Sequence, residues 1–171
     1  MKHRKSLRLA DYDYSQAGLY FVTICVADRQ CRLSVVSEDG VELTKEGSIV
    51  NEAWQNLLSK YPAATLDVWV VMPNHFHGVL GISDIDDAPR STASPPRHPA
   101  LGDIVKTFKA KSTVAINAVN KTPGAQLWQS RYYDHVIRSE SDLDRIRLYI
   151  AENPGKWADD PENPASKNSR R

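Results

Sequence analysis

The stretch from Leu66 to Ile82 constrains this chain more than any other. Leu66-Asp67-Val68-Trp69-Val70-Val71-Met72 and His75-Phe76-His77-Gly78-Val79-Leu80-Gly81-Ile82 are rich in β-branched and aromatic residues and are joined by Pro73-Asn74. A proline that presets φ, followed by asparagine, is a turn signal. Two such strands should lie antiparallel at the heart of a sheet. His75 and His77 stand two apart on the second strand, so both imidazoles leave the same face, about 6 to 7 Å apart along the backbone. That offers two neutral nitrogen donors to one cation. The spacing alone fits a pair of partly buried, hydrogen-bonded histidines equally well.

The remaining chain reads as elements around this pair. Tyr20-Phe21-Val22-Thr23-Ile24-Cys25-Val26 predicts a largely buried central strand, and Val35-Val36 and Val41-Glu42-Leu43 flank an Asp39-Gly40 turn as a short hairpin. Thr44, with Gly47 three residues on, opens a helix carrying Ile49, Val50, Ala53, Trp54, Leu57 and Leu58 as far as Tyr61-Pro62. A second helix runs from Leu101 to about Asn120, with Ile104, Val105, Phe108, Val114 and Ile116 apolar and Lys106, Lys109 and Lys111 forming a basic face. Trp128 to Ile137 predicts a strand. Ser139 to Asp142 then caps a helix bearing Leu143, Ile146 and Ile150, which stops at Asn153-Pro154-Gly155. The order predicts an α+β fold of the ferredoxin-like kind, an antiparallel sheet with helices packed on one face.

At 171 residues the chain has the size of one domain, expected over 1–157. Residues 83–99 hold Asp84, Asp86, Asp87 and four prolines and predict a mobile loop, and residues 158–171 lack periodicity and predict a disordered tail. No apolar run approaches the roughly 20 residues of a membrane helix, and no apolar stretch follows the basic N-terminus, so a cytoplasmic protein without membrane contact is expected. Cys25 and Cys31 form no Cys-x-x-Cys pair and predict free thiols. A net charge of +1 argues against a non-specific nucleic-acid coat and leaves only local patches. Candidate DNA contacts are Arg4, Arg8, Lys106, Lys109, Arg131 and Arg138.

Tyr149 and Asn153 lie four apart on the last helix and so share a face, flanking the Leu143, Ile146, Ile150 stripe. A nucleophile suits that boundary, its ring packed and its hydroxyl facing a cleft, while the Asn153 amide oxygen offers a third ligand to a cation held by His75 and His77. Mixed nitrogen and oxygen donors suit Mn²⁺ or Mg²⁺. Tyrosine has a free pKa of about 10, so only about one phenol in a thousand is ionised at pH 7 and the site must activate it.

Several segments together resemble the REP-associated tyrosine transposases, grouped with the single-tyrosine HUH transposases of insertion sequences. They are Arg8-Leu9 through Asp11-Tyr12-Asp13-Tyr14, Tyr20 to Cys25, Val71-Met72-Pro73-Asn74-His75-Phe76-His77, Trp128 to Arg138, and Ile146 to Pro154. The resemblance spans nearly all of residues 8–157. It implies an HUH endonuclease fold, His75 and His77 as metal ligands, Tyr149 as nucleophile, and Asn153 completing the metal site where some relatives carry glutamine. The implied reaction is transesterification: Tyr149 attacks a DNA phosphodiester, leaving a 5′-phosphotyrosine and a free 3′-hydroxyl. The implied partners are single-stranded DNA and DNA hairpins, and relatives include both monomers and homodimers.

Two other readings compete. One is a catalytically silent, sequence-specific DNA-binding protein of the same fold; the other is a metal-dependent phosphodiester hydrolase in which water attacks. Tyr132 and Tyr133 compete with Tyr149 as a YY pair, although a strand position favours packing or DNA stacking. Placement of His75 and His77 at the surface predicts that alanine there abolishes cleavage while the fold is retained.

Overall fold

The computed structural model describes residues 16–83 and 99–166. Arg4, Arg8, most of the expected mobile loop and the last five residues lie outside them. In chain order the elements are β1 (Gly18–Cys25), β2 (Ser34–Ser37), β3 (Gly40–Leu43), α1 (Lys45–Gln55), α2 (Leu57–Lys60), β4 (Ala64–Val71), β5 (His75–Ile82), α3 (Leu101–Asn120), β6 (Tyr133–Ile137), α4 (Glu140–Glu152) and a 3₁₀ turn over Pro154–Asp159. Strands β4, β5, β1 and β6 form an antiparallel sheet in that order. Sheet and connections reproduce the ferredoxin-like βαββαβ arrangement, with the β2–β3 hairpin inserted as its own two-stranded sheet and α4 appended.

The helices occupy both faces of the sheet, not the single face expected. Tyr20, Val22, Ile24, Phe76 and Leu80 face α1 and α3, where they pack with Trp54, Leu101, Ile104 and Phe108. Phe21 and Val79 face the other way, against Leu143, Ile146 and Ile150 of α4. The alternation of side chains makes both layers from the same strands, and every residue of β5 is buried. Burial on both faces is the reason Gly78–Ile82 of β5 reads as an unbroken apolar run and not as an alternating one.

Local chemistry sets the helix starts. The Thr44 hydroxyl accepts from the Gly47 N–H (3.1 Å), and the Ser139 hydroxyl accepts from the Asp142 N–H (3.2 Å). The first helix breaks at Asn56 into α1 and α2. Val114 is 69% exposed, not buried: the inward row of α3 is Phe108, Ser112 and Ile116, and a residue two positions from Ser112 points away. The strand expected from Trp128 begins only at Tyr133; Trp128 forms an isolated bridge with Val26, its indole N–H donating to the Ser112 hydroxyl (2.9 Å).

The tail expected to be disordered from residue 158 is tied down as far as Ser166. Asn163 Nδ2 donates to the Trp157 carbonyl (2.9 Å), the Ser166 hydroxyl to the Asp160 carbonyl (2.8 Å), and Asn74 Nδ2 to the Glu162 carbonyl (2.7 Å). Two of these are hydrogen bonds of Asn and Ser with nearby backbone and the third reaches the segment from the β4–β5 turn, neither of which hydrophobic periodicity registers.

Gly47 permits a close approach that no other residue allows, because a Cβ there would stand 1.8 Å from the Leu33 carbonyl oxygen. Gly47→Ala is expected to cost about 3 kcal/mol by forcing α1 off the hairpin, read as a lowered urea midpoint with an unchanged slope.

Candidate active site

His75 and His77 sit on the α4 face of β5, opposite Cys25 and Thr23 of β1. Phe76 between them points into the other core, with its ring 4.7 Å from Trp54 and 5.1 Å from Phe108. The turn before them is fixed by backbone bonds from Val26 N–H to the Asn74 carbonyl (2.9 Å), from Leu33 N–H to the Pro73 carbonyl (3.0 Å) and from Met72 N–H to the His75 carbonyl (2.9 Å). The Nε2 atoms of the two histidines lie 3.0 Å apart. His77 Nδ1 lies 2.8 Å from the Thr23 hydroxyl, and His75 Nδ1 lies 3.0 Å from Asn74 Oδ1.

Both histidines are buried, at 1% and 3% exposure, which corrects the expected surface placement. Burial lowers the pKa of each, and for His77 the neighbouring His75 lowers it further; for His75 the carboxylates of Asp160 and Glu162 act in the opposite direction. The pair is therefore neutral near pH 7, the form that donates to a metal.

Tyr149 stands on α4 over this pair. Its ring lies 5.3 Å from that of His77 and edge-on to Phe21 at 5.9 Å. It is 45% exposed and opens into a 710 Å³ cleft lined in part by His75, His77, Tyr133, His135, Arg145 and Asp160. Burial raises the pKa of the phenol, Asp160 raises it further, and the Asn153 amide lowers it. Asn153 is buried, and its Oδ1 has no hydrogen-bond partner among the described residues. Arg147 holds α4 to the sheet of the same chain through two bonds to the Asp67 carboxylate (2.9 and 2.6 Å). Tyr149 thus faces the histidines of its own chain.

A buried amide oxygen without a partner among the described residues, beside two neutral imidazole nitrogens that face each other, is a donor set a divalent cation fits. A separation of 3.0 Å is close to the spacing of adjacent donors about 2.1 Å from an octahedral centre. Among the described residues no group of three or more His, Cys, Asp or Glu side chains is gathered as a metal site. The third donor here is an amide. Both cysteines are free, and burial pushes the Cys25 thiol up to about 11, so it offers no competing thiolate near pH 7.

The other predicted residues divide. Tyr132 packs against the core, while Tyr133 is exposed at 44% and lines the cleft, since adjacent strand residues point to opposite faces. Lys106, Arg131 and Arg138 are exposed. Lys109 is directed inward, its Nζ donating to the carbonyls of Gln129 (2.6 Å) and Ser130 (3.1 Å), so it ties down a loop and does not project as a free cation. Lys106 and Lys109 belong to α3, which packs on the sheet face away from the histidines. Sequence reasoning missed Thr23, His135, Arg145, Asp160 and Glu162. The first two follow from strand register; Arg145 lies one turn before Tyr149 on α4; the last two lay in the segment read as disordered.

No family model matches the chain. A protein of Haemophilus influenzae described as uncharacterized is 33% identical over 167 residues, with 92% of each chain covered, and the two belong to one family. A second H. influenzae protein, provisionally named a REP-associated tyrosine transposase, is 26% identical over 149 residues, covering 84% of this chain and 74% of that one. A solved structure of a REP-associated tyrosine transposase bound to a REP hairpin matches with a TM-score of 0.63 at 23% identity, covering 87% of this chain and 73% of the other. This chain is a relative of the REP-associated tyrosine transposases. A crystal structure of a Deinococcus radiodurans R1 protein, provisionally described as a transposase, matches at a TM-score of 0.50 and 19% identity over 85% of this chain and 97% of that one. With the REP-associated transposase structure this chain shares the fold, an antiparallel sheet with packed helices. Among the described residues no helix is long and apolar enough to cross a membrane.

The buried histidines carry a pH signature. Their folded pKa values lie below the ordinary 6.5, so below about pH 6.5 the unfolded chain takes up protons that the folded chain refuses. Stability is full above that pH and falls as the pH drops toward the folded values, by up to about 1.4 kcal/mol per pH unit for each histidine. Urea midpoints measured between pH 7.5 and 5 should fall accordingly, and His77→Gln should flatten the profile.

Proposed function

We propose that this chain is a metal-dependent endonuclease and strand transferase acting on single-stranded DNA next to hairpins, a transposase with Tyr149 as its nucleophile. The observation that carries the reading is the placement of the Tyr149 phenol in one cleft with the facing Nε2 atoms of His75 and His77. The names of the relatives support it, and the hairpin in the matching structure suggests the substrate class.

His75 Nε2, His77 Nε2 and Asn153 Oδ1 are the atoms that would hold Mn²⁺ or Mg²⁺. When bound, such a cation supplies positive charge that withdraws electrons from a scissile phosphate and favours ionisation of a nearby phenol. The chain's own contribution is positional. Phe21 and α4 hold the Tyr149 ring with its hydroxyl in the cleft, and the Arg147–Asp67 pair holds α4 on the sheet. As the Tyr149 oxygen bonds to phosphorus, the bond from phosphorus to the 3′-oxygen breaks. The phenolic proton leaves to solvent in the open cleft and the departing 3′-oxygen takes one proton up from it, so the products are a 5′-phosphotyrosine and a 3′-hydroxyl. Attack by a 3′-hydroxyl reverses the step, so strands are rejoined without an external energy source. The raised phenol pKa means that Tyr149 without a cation is a weak nucleophile, which fits a reaction controlled by metal.

Arg145 and His135 line the same cleft. They share the Asp142 carboxylate, which the hydrogen bonds from Arg145 and His135 hold down at about 2. Tyr133 presents an aromatic face to the same space, suited to stacking on an unpaired base.

The purified chain, incubated with labelled single-stranded hairpin oligonucleotides and Mn²⁺ or Mg²⁺, should give a protease-sensitive protein–DNA adduct on denaturing gels. Chelator should remove it, and Tyr149→Phe should reduce it at least about a thousandfold while binding persists. Cleavage that survives in Tyr149→Phe would mean that water is the nucleophile; binding without cleavage on well-chosen hairpins would mean a silent DNA-binding protein.

A further inference from the structure

We infer that Asn74 is a positioning residue for the metal site, fixing which nitrogen of His75 carries the proton. The inference rests on reading His75 and His77 as ligands through Nε2. Asn74 is 1% exposed, and each polar atom of its amide is engaged. Its Nδ2 donates to the Arg29 carbonyl (3.0 Å) and to the Glu162 carbonyl (2.7 Å). Both partners are acceptors only, so the amide cannot be turned over without setting Oδ1 against two carbonyl oxygens.

Oδ1 is thereby directed at His75 Nδ1, 3.0 Å away. An amide oxygen only accepts, so Nδ1 must be the protonated nitrogen, and Nε2 keeps its lone pair toward His77. Thr23 imposes no such choice on His77. A hydroxyl can accept from Nδ1–H or donate to a bare Nδ1, so the Thr23 contact of 2.8 Å survives either tautomer. With His75 fixed, a metal-free His77 can place a proton on Nε2 and donate it to His75 Nε2 across 3.0 Å. With Nε2 given over to a cation, the ring would instead carry its proton on Nδ1, directed at Thr23. One histidine is locked and its partner is free to switch, so the pair satisfies its hydrogen bonds with or without a cation.

The lock is built from three distant parts of the chain. Asn74 belongs to the β4–β5 turn, Arg29 follows β1, and Glu162 follows the 3₁₀ turn. The segment bearing Glu162 also brings Asp160 to 3.9 Å from His75 Nε2. Docking of the C-terminal segment and the state of the metal site are therefore joined through one amide.

Imidazole nitrogen NMR on metal-free, ¹⁵N-histidine-labelled protein reads the tautomer directly. Wild type should show His75 as Nδ1–H. Asn74→Ala should release it to a mixture and weaken Mn²⁺ binding, measured by electron paramagnetic resonance titration, by about 10- to 100-fold. Asn74→Asp keeps an acceptor toward Nδ1 while losing both donors, so it should retain the Nδ1–H tautomer yet speed amide exchange at residues 160–166. An Nε2–H tautomer of His75 in wild type, or an unchanged tautomer and Mn²⁺ affinity in Asn74→Ala, would overturn the inference. The wild-type spectrum decides even where the alanine variant does not fold. Wild type that shows Nδ1–H but binds no Mn²⁺ would uphold the role of Asn74 in setting the tautomer and remove the metal reading instead.

Discussion

The pairing of β5 with β1 is the constraint on which the rest of this structure depends. Its register sets Phe76 opposite Ile24 and His77 opposite Thr23, and with it decides which side chains enter which core. A slip of one residue would drive both histidines into the layer of Trp54 and Phe108 and turn Phe76 out into the cleft. The turn at 72–74 prevents this, because its carbonyls are held from outside by Val26 and Leu33. The same strand thus serves two layers: one face closes the main core, and the other carries the site at one end and the seat of α4 at the other.

Burying two histidines side by side costs desolvation, and the fold meets that cost by giving each ring nitrogen a partner. Asn74 and Thr23 satisfy the Nδ1 atoms, and the Nε2 atoms face each other. The arrangement keeps both rings neutral, which suits metal binding and would be a poor design for a pair of cations. Tyr149 is treated differently, half exposed, with its ring at right angles to Phe21 and beside His77. The contrast between rigid, buried imidazoles and an accessible phenol is what the proposed role of Tyr149, a nucleophile toward a large substrate, calls for.

Much of this was legible without coordinates. Thr44 capping α1, the limits of α3 and the β4–β5 hairpin follow from residues within a few positions of one another, where capping, turn chemistry and periodicity act. The positions of His75, His77, Tyr149 and Asn153 on shared faces follow in the same way. Val114 shows where the reasoning fails: an apolar residue inside a helical pattern was counted as core, although its angle around the axis points outward. The tail shows a second kind of failure. Its Asp, Asn, Pro and Ser content resembles that of a disordered segment, yet those side chains hydrogen-bond to backbone groups of the same segment, and the Asn74 amide reaches it from the β4–β5 turn.

The sequence by itself determined the elements, the common face of the two histidines, and the stacking of Tyr149 with Asn153, because strand and helix periods are properties of local backbone geometry. Tertiary structure alone decided that α4 crosses to the far side of the sheet and lowers Tyr149 over His77. It alone brought Asn74, Arg29 and Glu162 to one amide and set Asp160 beside His75. These are contacts between residues tens of positions apart, selected by which apolar faces must be covered together, and no local pattern encodes that choice.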